Sequence, residues 1–282
     1  MKNRVYPKVL LGCALCFLVT VAGCCINIGD SCRAKYERTE QLSASMADLD
    51  SLDVKTSFGS ITITGADTTM CSIEARIQAQ APTTEEAQQL AEDTKIVVVP
   101  TGKTLEIRVD RPHLRNNRSV GVSFDITVPR QTGITCYTSY GSINLTDLKG
   151  TINARSSYAS ITTENTEGRV ELETSYGNIT CNNITSANIS ARTSYGSVDV
   201  SCSPATAADM NANVATSYGG IEFETPPGFA GEVDLQTSFG SINTDLPITI
   251  KGGISKNHIR GVVGQGNARL RLKTSFGSIR VR

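Results

Sequence analysis

Residues 138–143 read Thr-Ser-Tyr-Gly-Ser-Ile, and near-copies of that hexapeptide stand at eight places in this chain of 282 residues. They begin at Thr56 (TSFGSI), Thr138 (TSYGSI), Ser156 (SSYASI), Thr174 (TSYGNI), Thr193 (TSYGSV), Thr216 (TSYGGI), Thr237 (TSFGSI) and Thr274 (TSFGSI). Successive copies are 82, 18, 18, 19, 23, 21 and 37 residues apart. A period near 20 is the signature of a solenoid, in which each repeat buries its apolar face against its neighbours.

The residues around each copy say what a repeat is. Before Phe239 the apolar or small positions are Val233, Leu235 and Thr237, with Asp234, Gln236 and Ser238 between them. After Gly240 the series resumes one place out of step at Ile242. The same pattern runs through Val170, Leu172, Thr174 and Tyr176 to Ile179, and through Leu270, Leu272, Thr274 and Phe276 to Ile279. Period two is a half-buried strand. A slip at glycine is a corner or bulge. Each coil is therefore strand, corner, strand, and successive coils should stack in parallel at roughly 4.8 Å. Stacking would set Phe58, Tyr140, Tyr158, Tyr176, Tyr195, Tyr218, Phe239 and Phe276 into one aromatic ladder, with the motif threonines as a hydrogen-bonding ladder beside it. The ring position shares the parity of the core residues, which favours a structural ladder over a sugar-binding platform.

The start of the chain has another character. Residues 1–23 carry Lys2, Arg4 and Lys8, then the apolar run VLLGCALCFLVTVAG, with no acid. This is the pattern of a secretory signal, too short for a membrane span. It ends Val21-Ala22-Gly23-Cys24, which resembles the bacterial lipobox. That resemblance implies cleavage between Gly23 and Cys24 and acylation of Cys24, so that lipid ties the protein to a membrane. Residues 24–48 are polar and mixed in charge and read as a tether. Cys25 and Cys32 lie in it and are available to pair in an oxidising compartment.

Removing three basic residues leaves 24 Lys and Arg against 27 Asp and Glu, a net charge of about −3. That excludes a broad basic surface, and with it nucleic-acid binding. Cys71, Cys136 and Cys181 fall on inward strand positions and read as buried free thiols. The mature chain has no CxxC pair, and His113 and His258 are far apart in sequence, so neither a metal site nor a cofactor is expected.

The long step after Thr56 holds the one departure from the repeat, an excursion over residues 72–111. A strand at 72–80 precedes a helix capped at Thr83 or Thr84 and ending near Thr94, with Glu85 and Glu86 in its first turn. Strands at 95–99 and 104–109 follow, and then one at 120–128. The helix is expected to cap or flank the first coil, because an open solenoid end exposes pairing edges. The 37-residue step near the C-terminus equals about two coils, one without the motif. Within it, residues 261–266 (GVVGQG) form a mobile surface loop rather than a phosphate cradle, lacking a Walker lysine and a βαβ setting.

Three features together resemble a known family. They are the TSxGSI blocks, the strand-helix-strand passage ending in FDITVP (124–129), and the closing GVVGQGNARLRLKTSFGSIRV (261–281). They resemble the DUF4097 "putative adhesin" group of bacterial envelope proteins, related to the head domains of the DUF2807 group. The resemblance covers residue 49 to the end. It implies an all-β fold, a right-handed single-stranded β-helix of about 18–23-residue coils with one short helix near its N-terminal end. It carries no catalytic residues. The leading expectation is thus a non-enzymatic, lipid-anchored envelope scaffold or adhesin, with an envelope protein or glycan as partner. The alternatives are an accessory of envelope stress or signalling that binds a membrane partner and, behind it, a polysaccharide-active enzyme. For the enzyme, the outward residues Glu171 and Glu173 beside Arg155 and Arg192 are the nearest thing to a charged site, and alternating sign on adjacent coils equally suits a surface ladder.

Overall fold

The computed structural model describes residues 15–17, 33–114, 117–250 and 255–282. They form a β-solenoid whose coils each give one strand to a sheet before the glycine corner and one to a sheet after it. In the pre-corner sheet, parallel strands Ser51–Lys55, Gly133–Thr138, Ile152–Ser156 and Glu167–Tyr176 stack in order, and Glu167–Tyr176 then meets the second half of Ile179–Tyr195. Asn211–Tyr218 continues the stack. In the post-corner sheet Ile61–Ala66, Ile143–Thr146, Ile161–Glu164, the first half of Ile179–Tyr195, Val198–Cys202 and Ile221–Glu224 do the same.

The register is set residue on residue. Ile134, Ile152, Val170, Ile189 and Ala212 lie over one another, and so do Ile61, Ile143, Ile161, Ile179 and Val198. All of them are buried, forming the core between the two sheets. The corner opposite the glycines has its own device. Asp147, Asn165 and Asn183 adopt left-handed φ of 58°, 52° and 53°, a region that Asn and Asp tolerate better than other residues with a Cβ. Their side chains bond from coil to coil, Asn165 Nδ2 to Asp147 Oδ1 at 3.1 Å and Asn183 Nδ2 to Asn165 Oδ1 at 2.7 Å.

The N-terminal end differs from the expected tether. Ala34–Ser45 is a 12-residue strand that runs antiparallel to Met70–Ala81 throughout its length. Its polar residues suggested a solvated linker, yet Tyr36 is buried and Leu42 and Ala44 pack against the core, so alternate side chains cover the first layer. Met70–Ala81 pairs in turn with Ser119–Pro129, which lies parallel to Ile61–Ala66. The residues Leu15–Phe17, inside the expected signal segment, run antiparallel to residues 39–41. Gly23, Cys24, Cys25 and Cys32 lie outside the described residues.

Helix Thr84–Asp93 joins Met70–Ala81 of one sheet to Lys95–Thr101 at the edge of the other, and so spans the end of the stack. Thr83 is its cap, its Oγ1 accepting from the Glu86 N–H at 3.2 Å. Ala87, Leu90 and Ala91 are buried beneath it. Arg38 fixes its C-terminus, donating from Nε to the Ala91 carbonyl and from Nη2 to the Thr94 carbonyl. A cation suits carbonyls at that end of a helix.

The C-terminal end departs from sequence order. The last coil, Ala268–Phe276 and Ile279–Val281, inserts between Asn211–Tyr218 with Ile221–Glu224 on one side and Gly231–Phe239 with Ile242–Thr244 on the other. Among the described residues, the 37-residue step therefore holds no motif-free parallel coil. It holds strands Thr249–Ile250 and His258–Val263, the second of which runs antiparallel along the outer edge of Gly231–Phe239. Residues 264–267 (GQGN) then form an exposed turn that leads back to the inner side of that strand.

Candidate functional site

Each residue of the hexapeptide has a separate task. The threonine is buried, and its hydroxyl donates to the corner carbonyl of the adjacent coil. Thr174 Oγ1 reaches the Ala159 oxygen at 2.9 Å, Thr193 the Gly177 oxygen at 3.0 Å, and Thr216 the Gly196 oxygen at 2.8 Å. At the last coils Thr274 bonds Gly219 and Thr237 bonds Gly277, both at 2.9 Å. The threonine ladder is thus one of hydroxyl to carbonyl, not hydroxyl to hydroxyl. The glycine permits close approach of two backbones. A Cβ at Gly196, where φ is +155°, would stand 2.1 Å from the Gly177 carbonyl oxygen. The closing Ile or Val restores burial in the second sheet, as at Ile179 and Val198.

The aromatic residue does not point inward. The eight rings are between 44% and 67% exposed. The alternation breaks at the ring itself: Thr174 is buried, Ser175 and Tyr176 both face solvent, and Ile179 turns in again. The expected inward parity fails because the corner begins at the serine, which swings the ring outside. There the rings stack in one row, centroids 4.7–5.2 Å apart and planes within 5°. The order is Phe58, Tyr140, Tyr158, Tyr176, Tyr195, Tyr218, Phe276, Phe239, following the inserted last coil. The row extends about 34 Å over seven steps. Each ring pair contributes about 0.5–1.5 kcal/mol beyond its buried area.

This geometry decides what the row offers to a partner. Along its length each ring face is turned toward the next ring, so solvent meets chiefly ring edges and tyrosine hydroxyls, with motif serines alongside. Sugars stack on faces, and along the row each face is turned toward a neighbouring ring. The terminal faces differ: Arg111 lies over Phe58, its Cζ 5.9 Å from the ring centroid, whereas Phe239, at 67%, is the most exposed of the eight.

The charged residues singled out from sequence are only partly brought together. Arg155 lies between Glu171 at 3.7 Å and Glu173 at 3.4 Å, all three outward-facing. Arg192 lies opposite Glu173 in register, but no carboxylate comes within 4 Å of it among the described residues. His258 Nε2 contacts Asp234 Oδ1 at 2.8 Å. Among the described residues no three His, Cys, Asp or Glu side chains cluster as metal ligands would, and no helix is long and apolar enough to cross a membrane. Cys71, Cys136 and Cys181 are buried free thiols, and Cys202 joins them. Burial pushes Cys71, Cys181 and Cys202 up to about 12 and raises Cys136 as well. Thiols so held are protonated and poor nucleophiles.

The repeat pattern gave no hint of a groove on the outer face of the last pre-corner strands. It has a volume of about 540 Å³ and is lined by Asn211, Asn213, Arg260, Arg269 and Arg271, with Glu232 and Asp234 on the strand between the arginines.

A β-solenoid with a buried threonine ladder, glycine corners and an external aromatic row is the class of protein these observations define. The chain belongs to the DUF4097 family, described as Toastrack DUF4097, which it matches over residues 25–282. Among solved structures it is similar to a "putative cell adhesion protein" of Clostridium sporogenes, at 11% identity over 87% of this chain and 98% of that one, with a TM-score of 0.36. A "putative adhesin" of Bacteroides fragilis is similar at 14% identity over 86% and 97%, with a TM-score of 0.37. A "putative lipid binding protein" of Parabacteroides distasonis is similar at 12% identity over 86% and 96%, with a TM-score of 0.36. No curated protein matches the chain.

Proposed function

We propose that this protein is a non-enzymatic lipoprotein of the bacterial envelope, held to a membrane by acylated Cys24 and acting as a rigid adhesive scaffold. The observation that carries the reading is the exposed row of eight rings. Stacking ties the coils together, and a continuous aromatic stripe left on the outside is also the kind of surface that meets a partner. Rigid aromatic edges carrying hydroxyls cost little entropy when they dock, which suits a contact surface. The lipobox at Val21–Cys24 supplies the anchor, and the adhesin names of the similar structures agree with the role.

The test joins anchor and surface. Wild-type chain should fractionate with membranes and begin at a lipidated Cys24 by mass spectrometry, and Cys24→Ser should remain an unprocessed precursor. Full-length protein carrying Tyr158→Ala and Tyr176→Ala, if its circular dichroism is unchanged, should lose cross-linking to isolated envelope material. Normal maturation of Cys24→Ser overturns the anchor, and undiminished cross-linking overturns the contact surface.

A further inference from the structure

Charge is unevenly distributed along the stack. Residues 225–282 carry eight Lys and Arg against three Asp and Glu, while residues 24–224 carry sixteen against 24. The first set forms the last two coils and the antiparallel strands beyond them. Their outer face concentrates the cations. Arg269, Arg271 and Lys273 alternate along one strand, each separated by two residues, or roughly 6.8 Å. In register they face Asn211, Asn213 and Ala215 on one side and Glu232, Asp234 and Gln236 on the other. Beyond the acids, Arg260 lies opposite Asp234.

The two acids do not neutralise this face. Asp234 is shared between His258 at 2.8 Å and Arg271 at 3.7 Å. Arg260, Arg269 and Lys273 have no carboxylate within 4 Å among the described residues. The groove thus presents fork-shaped guanidinium groups beside the amides of Asn211 and Asn213. Guanidinium binds carboxylate with two parallel hydrogen bonds, and amides serve hydroxyls. The strand that carries Glu232 and Asp234 ends at Phe239, whose outer ring face is the uncovered end of the aromatic row. A sugar ring stacks on such a face.

We propose that this cationic end is a binding site for an acidic polysaccharide, a polymer whose sugars carry carboxylates. The alternative anionic partner, a lipid surface, is disfavoured by position. Cys24 lies ten residues before Ala34, which opens the edge strand of the first layer. The cationic strands lie about ten inter-strand steps away, roughly 48 Å along the stack. If the lipid on Cys24 holds one end at a membrane, the groove lies toward the far end of the stack.

The experiment uses the full-length chain immobilised through an N-terminal tag and washed free of detergent, where acylation is not needed, so failure of the lipid anchor and failure of the groove read separately. Polygalacturonate should bind, neutral dextran should not, and vesicles containing phosphatidylglycerol should not compete. Raising salt from low to high should weaken binding by about tenfold or more, since the contact is ionic and only partly buried. Arg269→Gln with Arg271→Gln should lose about tenfold, while Arg269→Lys with Arg271→Lys keeps part of the affinity and Lys95→Gln, at the other end, keeps all of it. Equal binding of dextran, capture by anionic vesicles in place of polygalacturonate, or an unaltered affinity in a folded double Gln variant would overturn the proposal.

Discussion

Replacing the corner glycine Gly196 by valine tests the packing of the coils most directly. An added Cβ would lie 2.1 Å from the Gly177 carbonyl oxygen, where ordinary contact begins at 3.4 Å. The two coils must separate locally by more than an ångström. That motion strains three contacts at once: the Thr193 hydroxyl bond to the Gly177 oxygen at 3.0 Å, the Gly177 N–H bond to Tyr195 O at 2.9 Å, and the Tyr176–Tyr195 stack at 4.9 Å. Overpacking costs about 1–3 kcal/mol, a weakened buried hydrogen bond about 1, and a side chain at φ +155° about 1 more. The sum is about 3–5 kcal/mol, or roughly 6–20 °C in melting temperature for a domain of this size. Alanine would bring the same Cβ clash and valine adds its branch to it; Ala159, at the corresponding corner of the coil at Ser156, does not share the positive φ of Gly196. Gly177→Val should behave alike, its Cβ falling 2.4 Å from the Ala159 backbone. Ser175→Val, on the exposed side of the same turn, should stay within about 0.5 kcal/mol. Thermal denaturation followed by circular dichroism measures all three, and equal midpoints would refute the close-approach argument.

Two further outcomes follow from the side chains on either face of the sheets. Arg155→Gln should cost about 0–1 kcal/mol, since its two carboxylate partners are exposed, and Arg192→Gln should leave the denaturation midpoint unchanged. Neither variant, nor the parent chain, should release reducing or unsaturated ends from polysaccharides with or without calcium; turnover abolished by either change would make this face an active site. The buried thiols give a pH dependence. Cys71, Cys181 and Cys202 ionise near the ordinary 9.0 when unfolded but only near 12 when folded. The unfolded chain therefore loses protons first, so stability holds below pH 9 and falls as pH rises from 9 towards 12. Urea midpoints at neutral and alkaline pH should show that fall, and replacing the thiols by alanine should flatten it.

Much of the coil was legible because its constraints are local and repeat. Period two, the slip at glycine and inward Cys136 and Cys181 all follow from the alternation of side chains across a strand. The ring position was not legible. Tyr176 lies two places after buried Thr174, as an inward residue would, and only the turn in the backbone at Ser175 sends it outward. The strand Ala34–Ser45 was hidden for another reason. It covers the end layer on one side only, so its outward positions are Lys, Glu, Gln and Ser, and its composition resembles a linker. Register against Met70–Ala81 supplies the order that composition does not.

The stacking order of the last coils shows where repeat logic ends. The motif copies at Thr216, Thr237 and Thr274 are nearly identical, so threonine, ring and glycine would mate equally well in either order. The choice falls to the outward side chains between the motifs. Had Gly231–Phe239 stacked directly on Asn211–Tyr218, the cationic strand with Arg269 and Arg271 would lie between it and His258–Val263. Arg271 would then stand beside Arg260, and like charges directly opposite are destabilising. Insertion of the last coil instead places Asp234 between Arg271 and Arg260, in register with both. The acidic strand separates two basic ones, and Arg271 gains an ion pair with Asp234 at 3.7 Å. Insertion also leaves Arg269 and Arg271 next to the neutral Asn211 and Asn213. The same arrangement that settles the order of the coils therefore leaves cations unspent on the surface, and it is this residue of charge that gives the end of the solenoid its groove.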